Sequence, residues 1–305
     1  MNNGVYETII IGAGIAGCTA AIYASRKKMS FLLIAKEFGG QFYESGEISN
    51  YPGIVTTDGV EFSKKFWEQL AFNGIAVQED EEVTDITAAG DVFDVISDKN
   101  AYKTKTVIIA TGSHPRKLNI SGEQEFARRG VTYCSICDGP IFKHKTIAII
   151  GGGNSALEAV DFTKKIVKKI YLINNDKQFN AFEALIEKAV GADNVEIIHE
   201  AHVTRIKGEA TVKGLIYEKQ GKEYELAVDG VIIEIGRMPN THFVEGFLEL
   251  TQTGHIAIDC QGRTSRQGIF AAGDCASGQE YQYAIAAGQG CIALLKAARY
   301  LAGKK

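Results

Sequence analysis

Five consecutive residues carry the chemistry that is easiest to read: Cys134-Ser-Ile-Cys137-Asp138. Two thiols three positions apart can close an exchangeable disulfide, and a nearby charge or a helix N-terminus can lower one thiol's pKa to give an attacking thiolate. Asp138 stands next to the pair as a candidate proton carrier. A structural zinc site would need a second Cys or His pair at ligand spacing, and none is evident. Cys260 and Cys275 are spaced wrongly, and His199 and His202 fall in a strand-like stretch, so no metal is expected. Cys18, Cys260, Cys275 and Cys291 read as packing residues.

Two glycine turns form the second signal. A G-x-G-x-x-G turn lets the backbone close tightly against a pyrophosphate, and the following helix supplies free N–H groups. Gly12-Ala-Gly14-Ile15-Ala16-Gly17 satisfies it between an apolar run and a helix-like stretch. Glu37, twenty residues after Gly17, is a candidate ribose ligand or a solvated side chain. The second turn is Gly151-Gly-Gly153-Asn-Ser-Ala156. Sites that hold a 2′-phosphate place arginines after the next strand, whereas Asn174-Asn-Asp-Lys-Gln-Phe-Asn180 has none. Asp176 would suit NADH, or the fold could persist with no dinucleotide bound; both readings stay open.

The elements that must position these residues repeat one plan twice. Tyr6–Ile11 and Phe31–Ala35 flank the first turn and its helix; Thr146–Ile150 and Ile170–Ile173 flank the second. Each unit continues through alternating segments to an apolar strand, Val107–Gly112 or Val231–Gly236. A further strand, Gly268–Asp274, and a helix ending near Leu301 are too small to fold alone and are assigned to the first unit. The expectation is an α/β protein of two Rossmann-like three-layer domains, the second inserted into the first: residues 1–114, 115–239 and 240–305, with crossings near Ser113–Arg116 and Arg237–Asn240.

Composition narrows the class. With 305 residues the chain has room for about two domains. Its 33 glycines against four prolines fit many strand-to-helix turns. A net charge of −4 argues against bulk attraction to nucleic acid, and Lys27-Lys28, Lys164-Lys165 and Lys168-Lys169 read as solvated helix faces. Thr8–Ala24 lacks charge, but Glu7 adjoins it and its glycines make a turn, so it reads neither as a signal peptide nor as a membrane span. One close cysteine pair among six cysteines fits a cytoplasmic protein better than a secreted disulfide framework.

With these motifs placed, the chain resembles the low-molecular-weight thioredoxin reductase family over nearly its whole length. Gly39-Gly40-Gln41, Asn50-Tyr-Pro-Gly53, Ala110-Thr111-Gly112 and Gly273-Asp274 join the two glycine turns and the cysteine motif in carrying the resemblance. It implies FAD bound by the first domain and the tail, with Gln41 and Asn50 near the flavin and Asp274 on the ribityl chain. Gly40, Thr111, Gly112, Gly273 and Gln282-Tyr283-Ala284 join the implied contacts. It also implies that Cys137 forms the bond facing the flavin, Cys134 attacks thioredoxin and Asp138 handles the proton. The inserted domain would rotate about hinges holding Gly112, Pro115, Gly236 and Pro239, and the protein would be a homodimer.

The departures point to a subgroup. The family's His-Arg-Arg-x-x-x-Arg segment is replaced at Asn174, Asn175, Asp176 and Asn180, and its Arg-Gln pair after a tyrosine is replaced by Gln282-Tyr283 after Tyr281. In this the chain is most similar to the ferredoxin-dependent flavin thioredoxin reductases, which implies reduced ferredoxin as donor and thioredoxin as acceptor. The alternatives are an NADH-dependent thioredoxin reductase using Asp176, a dithiol oxidase passing electrons to oxygen, and a non-catalytic FAD-binding protein with incidental cysteines. A ferredoxin–NADP reductase of this fold is disfavoured by the dithiol. An alkyl-hydroperoxide-reductase flavoprotein is disfavoured by the missing N-terminal extension.

Overall fold

The computed structural model describes residues 4–43, 45, 47–278 and 280–303. The chain forms two compact units, one made of residues 1–114 and 238–305 and the other of residues 115–237. In chain order, the first unit opens with β1 (Thr8–Ala13), α1 (Ile15–Arg26), β2 (Phe31–Phe38), α2 (Gly59–Phe72) and β3 (Val77–Gln78). Next come β4 (Val83–Ala89), β5 (Val92–Ser97), β6 (Ala101–Thr104) and β7 (Val107–Ile109).

The second unit holds β8 (Val131–Thr132), the single-turn α3 (Ser135–Asp138), β9 (Thr146–Ile150), α4 (Asn154–Thr163) and β10 (Lys169–Ile173). It continues with α5 (Glu183–Val190), β11 (Val195–Ile198), β12 (Ala201–Gly208), β13 (Val212–Lys219), β14 (Lys222–Ala227) and β15 (Gly230–Ile233). The chain returns to the first unit with β16 (Ile269–Ala271) and α6 (Tyr283–Gly303).

Each unit has a five-stranded parallel sheet in corresponding order, β16-β7-β1-β2-β3 and β8-β15-β9-β10-β11. The glycine-turn strand is central in both, flanked by the next strand on one side and the unit's late strand on the other. The inner strands β1, β7, β9 and β15 are almost wholly buried on both faces, which is why they read as unbroken apolar runs. In β7, Ile108 points into one core while Val107 and Ile109 point into the other. In β9, Ile147 and Ile149 face the helices while Ala148 and Ile150 face the opposite core. The antiparallel sheets β4–β6 and β12–β14 supply the third layer, with the two-residue strand Val5–Tyr6 added beside β6.

Several local expectations change. The tail strand pairs with β7 only over Ile269–Ala271, so Gly273 and Asp274 lie in the turn beyond it. Lys169 is in β10, over the Tyr171 ring at 4.3 Å and paired with Glu196 at 2.7 Å, so it is not on a helix face. Cys260 is exposed and has no packing role, whereas Cys18 and Cys275 are buried.

A buried acid ties layers of the first unit together. Glu81 is 0% exposed and accepts from Ser97 Oγ, from Asn100 Nδ2 at 3.1 Å and from Tyr102 Oη at 3.0 Å. Burial opposes its ionisation, but these hydrogen bonds and one from Gln78 hold the carboxyl below its usual range. A lowered folded value means the stabilisation is present above the ordinary carboxylate pKa and is lost as pH falls through the folded value. Glu81→Ala is expected to cost about 2 kcal/mol by orphaning these donors. Urea unfolding at neutral and acidic pH measures this, and the deficit should narrow at the acidic end.

Candidate functional site

The redox pair is built by a cap. Cys134 leaves β8 in an extended conformation and caps α3; its Sγ accepts from Cys137 N at 3.2 Å, the place a serine or aspartate oxygen takes in an ordinary N-cap. The three-residue spacing therefore brings both sulfurs together, and they form a disulfide with Cα atoms 5.3 Å apart. Thr132 Oγ1 accepts from Cys134 N at 3.2 Å and donates to the Asp138 carboxylate. Burial raises the Asp138 pKa, with the Thr132 hydroxyl opposing the shift. The arrangement can hold a thiolate on Cys134 against the Cys137 amide and keep an acid one residue beyond Cys137.

The first unit offers a dinucleotide cradle. A Cβ on Gly17 would fall 1.8 Å from Gly12 O, and one on Gly12, at φ +105°, 2.3 Å from Ala110 O. Both glycines are therefore needed for the close packing of β1, α1 and the end of β7. Gly14 faces open space, with nothing within 4 Å of its Cβ position. It caps α1 with no side-chain hydrogen bond, so the first amides, including those of Ile15 and Ala16, keep donors for a pyrophosphate. Glu37 is exposed near the end of β2, one residue before Phe38, which pairs with Ala13.

Flavin-side candidates gather in the same unit. Gly40–Phe42 form a 3₁₀ turn, and Gln41 Nε2 donates to Ser113 O. Asn50 Nδ2 donates to Gln282 Oε1 at 3.3 Å, and the Tyr283 hydroxyl meets Ser45 Oγ. Ala284 follows in the first turn of α6. Thr111 Oγ1 donates to Asn240 O at 2.7 Å, and Gly112 O accepts from Asn240 N at 3.0 Å. Gly273 takes φ +76° and donates its N–H to Gln289 Oε1 at 2.7 Å, setting Asp274 next in the turn.

In the second glycine turn the space beside Gly152 is filled by a side chain. Asn174 is 3% exposed, and a Cβ on Gly152 would lie 2.2 Å from its Oδ1. Its Nδ2 donates to Asp176 O at 3.1 Å and Gln178 O at 2.9 Å, shaping the following loop, and Asn180 N donates to Gly152 O at 2.8 Å. The basic side chain in this loop, Lys177, pairs with Glu200 at 3.8 Å. Two features of these units had no motif to announce them. His255 is buried between Thr253 Oγ1 and the Tyr281 hydroxyl, each at 2.9 Å, and Glu234 is an acid at the end of β15.

A doubly wound dinucleotide unit together with a second unit that carries a disulfide defines the class: a flavin disulfide oxidoreductase of the thioredoxin-reductase type, whose cofactor is FAD. The chain belongs to the pyridine nucleotide-disulphide oxidoreductase family, matched over residues 6–290. Among solved structures it is similar to thioredoxin reductase from Streptococcus pyogenes, with TM-score 0.90 and 34% identity, covering 99% of this chain and 100% of that one. It is also similar to a ferredoxin-flavin thioredoxin reductase from Clostridium acetobutylicum, with TM-score 0.55 and 33% identity, covering 98% of each chain. A curated relative is an alkyl hydroperoxide reductase subunit of Staphylococcus aureus, 37% identical over 98% of this chain and 60% of that protein. Another is a Bacillus subtilis NADH dehydrogenase, 35% identical over 97% of this chain and 58% of that protein. The chain thus spans about three fifths of these curated relatives. No helix among the described residues is long and apolar enough to cross a membrane.

Proposed function

We propose that the chain is an FAD-dependent protein-disulfide reductase that passes electrons from reduced ferredoxin through Cys134 and Cys137 to thioredoxin. One observation carries the choice of donor: the unit with the disulfide keeps a glycine turn, yet its Asn174–Asn180 loop presents no guanidinium where a 2′-phosphate would need one. The glycine cradle, Gln41, Asn50, Asp274 and the Gln282–Ala284 segment would hold FAD. FAD supplies, when bound, the means to gather single electrons and deliver them as a pair.

The chain's own groups do the rest. Reduction breaks the Cys134–Cys137 bond and leaves a thiolate and a thiol. The Cys134 thiolate, steadied by the Cys137 amide, attacks one sulfur of the partner disulfide and displaces the other. Cys137 then attacks Cys134 Sγ, restoring the internal disulfide and freeing the partner's second thiol. Asp138, kept protonated to higher pH by burial, would exchange the proton of the cysteine that precedes it. The segments near Gly112–Pro115 and Gly236–Pro239 are where the chain would hinge between the two tasks, and the working form would be a cytoplasmic homodimer.

A second reading takes NADH as donor. It is favoured by Asp176 and by the name of the Bacillus relative. Anaerobic mixing of the yellow holoprotein with NADPH, NADH or reduced ferredoxin separates the two. Bleaching of the flavin by ferredoxin alone, reversed by oxidised thioredoxin, is the expected result; fast bleaching by NADH would replace the donor assignment. Oxygen-dependent peroxide formation with small dithiols would instead mark a dithiol oxidase. Introducing arginines together, Asn175→Arg with Asn180→Arg, is expected to raise NADPH turnover by less than about tenfold, a gap of about 1.4 kcal/mol. Steady-state kinetics checks this, because a nicotinamide must also reach the flavin.

A further inference from the structure

An acid interrupts an otherwise apolar strand end in Val231-Ile-Ile-Glu234-Ile-Gly236, and nothing in the reaction above uses it. Glu234 extends the β9–β15 ladder by one bond, its N–H donating to Ile150 O at 2.8 Å. Its carbonyl abuts the second glycine turn, 2.2 Å from where a Cβ on Gly151 would sit, so this strand end is fixed in place. From there the carboxyl accepts from both the backbone N–H and the hydroxyl of Ser135, the residue that follows Cys134 and begins α3. Ser135 is 7% exposed.

We propose that Glu234 is a positioning residue for the redox pair: it fixes Ser135, and with it the turn that carries both sulfurs, and its carboxyl takes up a proton when the disulfide is reduced. This rests on the dithiol reading and is independent of donor and partner. The charged groups facing the carboxyl are Arg237, which favours the anion, and Glu158 of α4, which disfavours it. Burial outweighs the contacts from Ser135 and Arg237 and pushes the carboxyl up to about 7 with the disulfide closed. A new thiolate one residue from Ser135 adds negative charge and favours the neutral acid further.

The balance with a small dithiol such as dithiothreitol is complete. Its two sulfurs lose two electrons and join as a ring, the Cys134–Cys137 bond breaks, and of its two protons one goes to a cysteine sulfur and one to Glu234. The other cysteine remains a thiolate. An ionised Glu234, bonded to Ser135, would otherwise add a second negative charge beside the residue that follows Cys134.

The test uses the FAD-loaded protein in dithiothreitol redox buffers across neutral pH, reading the dithiol–disulfide ratio and the ultraviolet absorbance of the thiolate. Wild type should show an inflection near the Glu234 value, about 7. Glu234→Gln keeps an acceptor for Ser135 without the charge. It should erase the inflection and raise the thiolate-to-thiol ratio above it by about three- to tenfold, half to one pKa unit. Glu158→Gln, which leaves the Ser135 contact intact, should keep the inflection. Glu234→Gln curves that superimpose on wild type would overturn the proposal. Infrared difference spectra of wild type provide a second arm should that variant fail to fold, and no carboxyl protonation on reduction would overturn it equally. Failure of the dithiol reading itself looks different: dithiothreitol would then release no thiols from wild type.

Discussion

Cys134→Ser and Cys137→Ser should each lower thioredoxin reduction by at least about a thousandfold while leaving the protein yellow, because each removes a bonding partner and not a packing residue. The glycine turn proposed to hold FAD belongs to the other compact unit, and neither cysteine is part of it. The two variants should fail differently. With Cys137 gone, Cys134 can still attack but nothing resolves the product, so a mixed disulfide with the partner accumulates on a non-reducing gel. With Cys134 gone, the remaining thiol lacks the position that accepts the Cys137 amide, and little adduct should form. Turnover retained in either single variant would refute the assignment of the dithiol as the electron path.

Much of this site is legible in the sequence because its geometry is local. A cysteine three residues after another, at the start of a turn, dictates that the two sulfurs meet, and Cys134 as cap makes that turn. The glycine turns are legible for a similar reason, since Gly12 and Gly17 exclude a side chain through backbone neighbours a few residues or one strand away. The repeat of two parallel sheets follows from strands that are apolar on both faces.

What the sequence hides is non-local. Glu234 meets Ser135 only because β15 returns beside β9 after the whole antiparallel layer, and no spacing rule links residues so far apart. Its one trace is an acid in a strand end that burial should have kept apolar. His255 and Glu81 are alike in this: each is satisfied by partners reached through folding, His255 by Tyr281 and Glu81 by Tyr102. Lys169 reads as a helix residue because its charge is visible in the sequence and its pairing to Glu196, across the β10–β11 register, is not. Cys260 reads as a packing residue from its type alone, which does not reveal exposure.

The proposed cofactor site allows an experiment in which fold and binding separate. Gly17→Ala places a methyl group 1.8 Å from Gly12 O, a backbone atom that can yield only if α1 moves away from β1. Gly14→Ala meets nothing within 4 Å of protein, and Gly14 has φ −75°, which alanine adopts freely. Its methyl group would nevertheless project at the capping position of α1, where a pyrophosphate bound as proposed would approach the amides. Gly17→Ala is therefore expected to lower the melting temperature of the apoprotein and weaken FAD binding together, with overpacking of about 1–3 kcal/mol. Gly14→Ala should lower the apoprotein melting temperature by only a few degrees, since alanine in place of glycine at a helix cap costs on the order of 0.5–1 kcal/mol and leaves the packing untouched. Its FAD affinity should still fall by about tenfold or more, equivalent to about 1.4 kcal/mol. Flavin titration followed by fluorescence quenching, paired with apoprotein melts, measures both quantities. If Gly14→Ala binds FAD as wild type does, the open face of this turn is not the pyrophosphate site, and the close packing at Gly12 and Gly17 serves the fold alone.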